Sequence, residues 1–257
     1  MLTVMPVHAL VPALMLIASA AFAADPAPSP APPGDPKTSK TSILEAGAKS
    51  LQSRAPLAGF DIYLDGFHAL KDDPSSQMEA HHYCKQVNED FAQCVLFDGN
   101  TRAANLTGGE YIISEKLFDS LPLDERKLWH PHNYEILSGE LIAPSLPDKA
   151  EHALMRRKIN SYGKTWHFWP SSLFGKPEQK LPVGAAMLAW SFNRDGEVAP
   201  GLMQQRNQRM KVDMAQKRRN RADLPPMAHP QQGVDEMKDK FGRPTQDLPG
   251  VRDINAK

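Results

Sequence analysis

Hydrophobic and polar positions alternate most clearly between Glu79 and Asp98, EAHHYCKQVNEDFAQCVLFD, where two such segments flank Asn88, Glu89 and Asp90. A period of two on either side of turn-compatible residues predicts a β-hairpin. A three-residue loop sets Val87 opposite Phe91, and counting outward brings Cys84 opposite Cys94. Side chains on a strand alternate faces, so Ala80, His82, Cys84 and Gln86 share one face with Ala92, Cys94, Leu96 and Asp98. His81, Tyr83, Val87, Phe91, Val95 and Phe97 make the other face, which is more apolar and is expected to look into the core. The reactive atoms collect on the first.

The remaining pattern mixes short strands with short helices. Ser42 to Ser53 reads as a helix capped by Ser42 with Glu45 at the capping-box position. Gly59 to His68 reads as a loop or short strand. EYIIS, from Glu110 to Ser114, is a strand whose last residue caps the helix EKLFDSL, and Pro122 opens LDERKLW, which delivers Trp129, His130, Pro131 and His132. Tyr134 to Ala143 is expected to be a second hairpin turning at Ser138 and Gly139. Pro147 opens a helix that stops at Gly163. Lys164 to Pro170 reads as an aromatic strand and Pro182 to Phe192 as the last apolar strand. A helical stretch then runs from Pro200 or Gly201 to Asp223. Its Met203, Met210 and Met214 lie along one face and its Arg206, Arg209, Lys211, Lys217, Arg218, Arg219 and Arg221 on the others. These elements predict one α+β domain, an antiparallel sheet of hairpins packed against a few helices, with flexible termini.

Composition adds the boundaries. Lys plus Arg and Asp plus Glu both total 30, which removes the electrostatic case for a nucleic-acid partner. The apolar segment His8 to Ala20, followed by Ala21-Phe22-Ala23, reads as a signal peptide over residues 1–23, so the chain is expected to be exported, periplasmic or secreted. A Pro-rich linker covers 24–41, the folded domain 42–222, and a flexible, Pro- and Gln-rich tail 223–257.

Several strings together resemble the oil body-associated protein family, a group also described by a domain of unknown function. They are Glu79-Ala80-His81-His82-Tyr83-Cys84, Gln93-Cys94, Glu110-Tyr111-Ile112-Ile113-Ser114, Leu128-Trp129-His130 with His132 and Glu135, Ser138-Gly139, and Tyr162-Gly163-Lys164-Thr165 with His167-Phe168-Trp169. The resemblance implies a soluble mixed α/β domain and, since plant members are linked to seed lipid droplets, a lipid- or envelope-associated binding protein. The family supplies no catalytic residue to carry over. The chain departs from the plant setting in its apparent export signal and Pro-rich linker.

Two chemistries compete with that reading. Cys84 and Cys94 on opposed strands can form a disulfide, closing a short loop that contributes about 2 to 3 kcal/mol. With His82 on the same face they can instead make an N,S,S zinc site with an open position. A second constellation draws on His81, His82, His130, His132, Glu135 and His167, with Glu79 and Glu110 as orienting carboxylates. Neutral imidazoles and a carboxylate from separate segments commonly hold zinc or a similar divalent ion, and such a site would make the chain a small metal-dependent enzyme. Gly163-Lys164-Thr165 lacks the first glycine of a phosphate-binding loop, and no GxSxG string is present, so nucleotide binding and serine-nucleophile chemistry are set aside. The basic helical stretch near 201–222 is a candidate for lying on an anionic membrane surface.

Overall fold

The computed structural model describes residues 31–169 and 180–255. The expected signal peptide, and Pro170 at the end of the predicted aromatic strand, lie outside these residues. Strands β1 (Ile62–Leu70), β2 (Gln77–Asn88), β3 (Phe91–Phe97), β4 (Leu106–Ile113), β5 (His130–Pro131), β6 (Tyr162–His167) and β7 (Met187–Trp190) form one antiparallel sheet in the order β4-β3-β2-β1-β7-β6-β5. A further pairing of β4 with β6 closes it. The α+β class and antiparallel sheet expected from the pattern are present, and the sheet is a six-stranded barrel, with the two-residue β5 added beside β6. Closure leaves no unpaired edge among the six.

The hairpin of β2 and β3 has Cys84 opposite Cys94 as counted. Its turn is tighter than three residues, because Asn88 pairs with Phe91 and the irregularity between Gln86 and Asn88 absorbs Val87. The two faces are the reverse of expectation. Ala80, His82, Cys84, Ala92, Cys94 and Leu96 point into the barrel and are buried, whereas Tyr83, Phe91, Val95 and Phe97 are half-buried and Val87 is exposed. Counting apolar residues misled here because the barrel interior itself holds polar groups.

Helix α1 (Ser39–Leu51) is capped by Thr38, whose Oγ1 accepts from the Thr41 amide, rather than by Ser42, and buries no residue. Helices α2 (Glu115–Asp119) and α3 (Leu123–Arg126) follow β4, and Ser114 caps α2 as expected. The predicted second hairpin is instead helix α4 (Asn133–Ser138), ended by Gly139 at a φ of 81°. Every residue of α4 is buried, so it has no polar face to reveal a helical period, and Tyr-Glu-Ile-Leu reads as alternation. Helix α5 (Asp148–Lys158) stops before Gly163, which lies within β6.

The single basic helix expected after Gly201 is two helices, α6 (Leu202–Met210) and α7 (Met214–Asn220). They are separated by Lys211 at a φ of 54° and restarted by the Asp213 cap. Several of its charges turn inward. Arg206 is fully buried, with Nη1 2.7 Å from Asp65 Oδ1, and both its Nη atoms donate to the Glu140 carbonyl. Arg218 Nε donates to the Ser138 carbonyl, and Arg221 donates to the carbonyls of Ile136 and Leu141. These guanidinium groups satisfy the carbonyls that α4 leaves open at its end, and so fix the loop leading out of it. Most of the cations expected on the helix's polar faces are thus engaged by the protein itself, and Lys211 and Arg219 are the two that stay exposed.

Beyond α7, composition predicts a loose tail. Leu224, Gln231, Val234, Met237 and Val251 are instead buried against the barrel. Gln231 Oε1 accepts from the Asn133 amide and its Nε2 donates to the Ser161 carbonyl, pinning the start of α4 to the approach of β6. The apolar residues in this segment are too sparse to show a period, yet each enters a pocket between elements.

Candidate metal centre

Inside one end of the barrel, Glu110 of β4 stands at the middle of a ring of imidazoles. It lies opposite Cys94 on β3 and Thr165 on β6, so its side chain points inward with theirs. Its Oε1 is 3.6 Å from His130 Nε2 and 3.4 Å from His132 Nε2, and those two nitrogens are 3.3 Å apart. Its Oε2 is 2.9 Å from His82 Nε2. His68 packs edge-on against His82, and its Nδ1 is 3.1 Å from His167 Nε2. All six residues are 4% exposed or less.

The outer hydrogen bonds decide which nitrogens face inward. The Ala80 carbonyl can only accept, so His82 carries its proton on Nδ1, 3.0 Å away. The Ser161 hydroxyl gives its one proton to the Lys158 carbonyl and therefore accepts from His132 Nδ1 at 2.8 Å. His167 is held by the Thr107 carbonyl, which leaves its Nε2 to accept from His68 Nδ1. In neutral rings, His68, His82 and His132 thus all turn an Nε2 lone pair away from these outer partners. Imidazoles fixed through Nδ1 while Nε2 points at a shared centre are the usual arrangement around a bound metal.

Burial alone would raise the Glu110 carboxyl, but its contacts with His130, His132 and His82 outweigh burial and hold it well below the usual carboxylate range. Burial lowers His132 to about 4 and His167 to about 3, and pushes His68 well below the ordinary imidazole value. Glu135, on the first turn of α4 with Oε2 3.9 Å from His132 Nε2, is raised well above its ordinary value by burial and then by Glu140 and Glu110. A cavity of about 20 Å³ adjoins the cluster, lined by His68, His82, Glu110, His132, Glu135 and Lys158 among others. That is room for about one water molecule. Lys158 is lowered to about 8 by burial and then by Arg157.

The three atoms Glu110 Oε1, His130 Nε2 and His132 Nε2 form a triangle with sides of 3.3, 3.4 and 3.6 Å. An ion held tetrahedrally at about 2.0 to 2.1 Å has ligand atoms about 3.4 Å apart. Gly163 backs this triangle. A Cβ built there would lie 2.3 Å from Glu110 Oε1, 2.5 Å from His130 Nε2 and 2.6 Å from His132 Nε2. A side chain at 163 would therefore push these three atoms apart, and the absence of one is what lets them converge.

Of the residues singled out by sequence, His82, His130, His132, Glu135 and His167 come together here. His81 does not. It lies on the outer face of β2, with Nδ1 2.7 Å from Tyr63 Oη and 3.1 Å from Asp65 Oδ2 and Nε2 3.6 Å from Glu79 Oε1. That acidic pair already faces Arg206 and Arg209, so the outer group is a charge-balanced network. Cys84 is bonded to Cys94, with an S–S distance of 2.02 Å, and its sulfur is not available as a thiolate ligand. Two residues were missed or underrated. His68 sat in a stretch without clear alternation, although Leu64, Gly66 and His68 share the inner face of β1. Glu110, expected from the sequence to be an orienting carboxylate, is the centre. A lone carboxylate in the middle of LTGGEYII was the available signal.

Fold and site thus define a closed antiparallel barrel with a buried histidine and carboxylate centre. Residues 54–225 match the family model described as protein of unknown function (DUF1264). The chain is 36% identical to oil body-associated protein 1B of Arabidopsis thaliana, over 83% of this chain and 86% of that protein. It is 39% identical to oil body-associated protein 2A of the same plant, over 68% and 70%, and 35% identical to oil body-associated protein 1A of Zea mays, over 82% and 86%. The chain belongs to the oil body-associated protein family. No solved structure matches it. The expectation of an exported, periplasmic or secreted protein is corrected by these relatives, which are named for association with oil bodies.

Proposed function

We propose that this chain is a metal-binding protein whose buried centre, Glu110 with His130 and His132, holds a divalent ion such as zinc and supports metal-dependent chemistry on a small molecule. The mutual spacing of those three atoms, which the missing side chain at Gly163 permits, carries the reading. An ion bound there would lower the pKa of a coordinated water. Glu135 and Lys158 line the water-sized cavity and are the groups able to take or return a proton. The charge balance also fits, because Glu110 and an ionised Glu135 together offset one divalent cation. Purified full-length protein is expected to carry about one or more equivalents of a divalent metal, measured by plasma mass spectrometry, and His130→Ala with His132→Ala to lose metal from this triad. A chain that binds none after incubation with excess zinc ends the reading.

A second reading comes from the relatives' names: association with a lipid-droplet surface. The cavity beside the centre is far too small for an acyl chain, so such contact would use the outer surface of the barrel. Retention with lipid droplets on flotation supports it, and recovery of all the protein below the lipid layer counts against it.

A further inference from the structure

Glu110 has two carboxylate oxygens, and they face different histidines. Oε1 belongs to the triangle with His130 and His132, whereas Oε2 lies 2.9 Å from His82 Nε2. Among the described residues, three triads have ligand atoms within 4.8 Å of one another: Asp65 with Glu79 and His81 on the outer face, which Arg206 and Arg209 already balance, and two that contain Glu110, one with His130 and His132 and one with His68 and His82. It is the two Glu110 triads that bear on the centre. They share Glu110 and do not merge into one set at that spacing. Atoms bound to one ion at about 2.1 Å can be no more than about 4.2 Å apart, so a single position does not serve all four imidazoles.

We propose that the centre is dinuclear, with Glu110 bridging a first ion at His130 and His132 and a second at His68 and His82. This rests on the metal-binding reading of the first triad. The 2.9 Å separation of Glu110 Oε2 and His82 Nε2 suits neighbouring ligands at right angles around an ion at about 2.1 Å. With its Nδ1 proton committed to Ala80, a neutral His82 presents a lone pair at Nε2. The second pair is oriented as a ligand pair should be: His82 through Ala80, and His68 through His167 and Thr107. A carboxylate bridging two ions through its separate oxygens is a recurring device of two-metal sites, where the ions lie about 3.5 to 4 Å apart and hold a shared hydroxide. The cavity lined by His68, His82, Glu110, His132 and Glu135 has volume for that one oxygen species. With two divalent ions, Glu110, Glu135 and the hydroxide offset three of four positive charges.

The test is stoichiometry on the full chain, reconstituted with Zn2+ or Mn2+ after chelation and counted by native mass spectrometry. Wild type is expected to saturate at two ions. His82→Gln and His68→Ala are each expected to retain one, and Gly163→Ala to retain the other. The Mn2+ form is expected to give an exchange-coupled electron paramagnetic resonance spectrum. Saturation at one ion, with an uncoupled Mn2+ spectrum and no loss in His82→Gln, overturns the second position and leaves the first standing. Zero ions in wild type overturns both. The wild-type count and spectrum decide the matter even where a variant fails to fold.

Discussion

Replacing Gly163 by alanine adds one carbon and is the sharpest perturbation of the centre. The backbone there is an ordinary strand with no positive φ, so the change brings no conformational strain of its own. The added Cβ would meet three atoms at 2.3, 2.5 and 2.6 Å, against a usual contact of about 3.5 Å. Each ligand atom must therefore retreat by about 1 Å, whereas metal ligands tolerate about 0.2 Å of displacement. His132 resists because its ring is tied to Ser161 at 2.8 Å. The variant should lose at least two of its three ligands for the first ion. We expect affinity at this position to fall by about three orders of magnitude or more, equivalent to about 4 kcal/mol, and the metal-free protein to lose about 1 to 3 kcal/mol from overpacking. Competition with a chromophoric chelator measures the first and urea unfolding in excess chelator the second. Gly109→Ala on the neighbouring strand is the control, because its Cβ would sit 3.6 Å from the Cys94 carbonyl and faces away from Glu110. If Gly163→Ala binds metal within tenfold of wild type, the three atoms that meet beside that glycine are not what holds the ion.

Three further outcomes follow from the same structure. Arg206→Met, which leaves the buried Asp65 with His81 but without its guanidinium partner, is expected to cost about 3 to 5 kcal/mol in urea unfolding, and a loss under about 1 kcal/mol would mean the pair is not buried as described. In the chelated protein, His132 is expected to remain unprotonated by NMR from pH 8 down to about 5, with a midpoint near 4. Its folded pKa lies below the unfolded value, so its contribution to stability is complete above about pH 6.5 and is lost as pH falls toward 4. Glu135 and Glu140, whose folded values are raised, contribute below their unfolded values and lose it as pH rises, so the ring itself and not total stability is the quantity to follow. A chain ending at Pro226 keeps the family-matched region but loses Gln231, Val234, Met237 and Val251 from the core, about 5 kcal/mol or more of apolar burial, and should show no cooperative thermal transition by circular dichroism.

What the sequence disclosed depended on whether local pattern and final environment coincided. The β2–β3 pairing was legible down to Cys84 opposite Cys94, because two alternating runs and a polar turn are nearly sufficient to set register. Closure of the sheet was not, since it rests on β4 meeting β6, a pairing between Glu110 and Thr165 with no local signature. Helix α4 was hidden by being buried on all sides, and the packed C-terminal segment by its proline content, which suits a chain that wraps over a surface as well as one that is loose. At the site, His130 and His132 were found through their spacing of two. His81 was included by adjacency to His82, although neighbours on a strand point to opposite faces, and the fold separates them accordingly.

The energetic position of the histidines is what makes a bound cation more than a convenient fit. At the level of Leu64, Ala92, Leu96 and Ile112, a barrel built only for stability would continue with aliphatic side chains, since buried polar clusters are commonly neutral or worse beside well-packed apolar ones. Here His68, His82, His130, His132 and Glu110 enter the same interior, and the protons of three of the rings are given to Ala80, Ser161 and His167 rather than shared with the carboxylate. In neutral rings this leaves the Nε2 lone pairs of His82 and His132 facing Glu110, and these repel the carboxylate in a medium of low polarity. Donated outward, those protons cannot relieve the repulsion, and a positive ion at the centre can. Chelation should therefore lower the stability of the whole barrel and not only remove an activity, and a wild-type melting temperature indifferent to chelator would show that the ring of imidazoles has found some other way to balance itself.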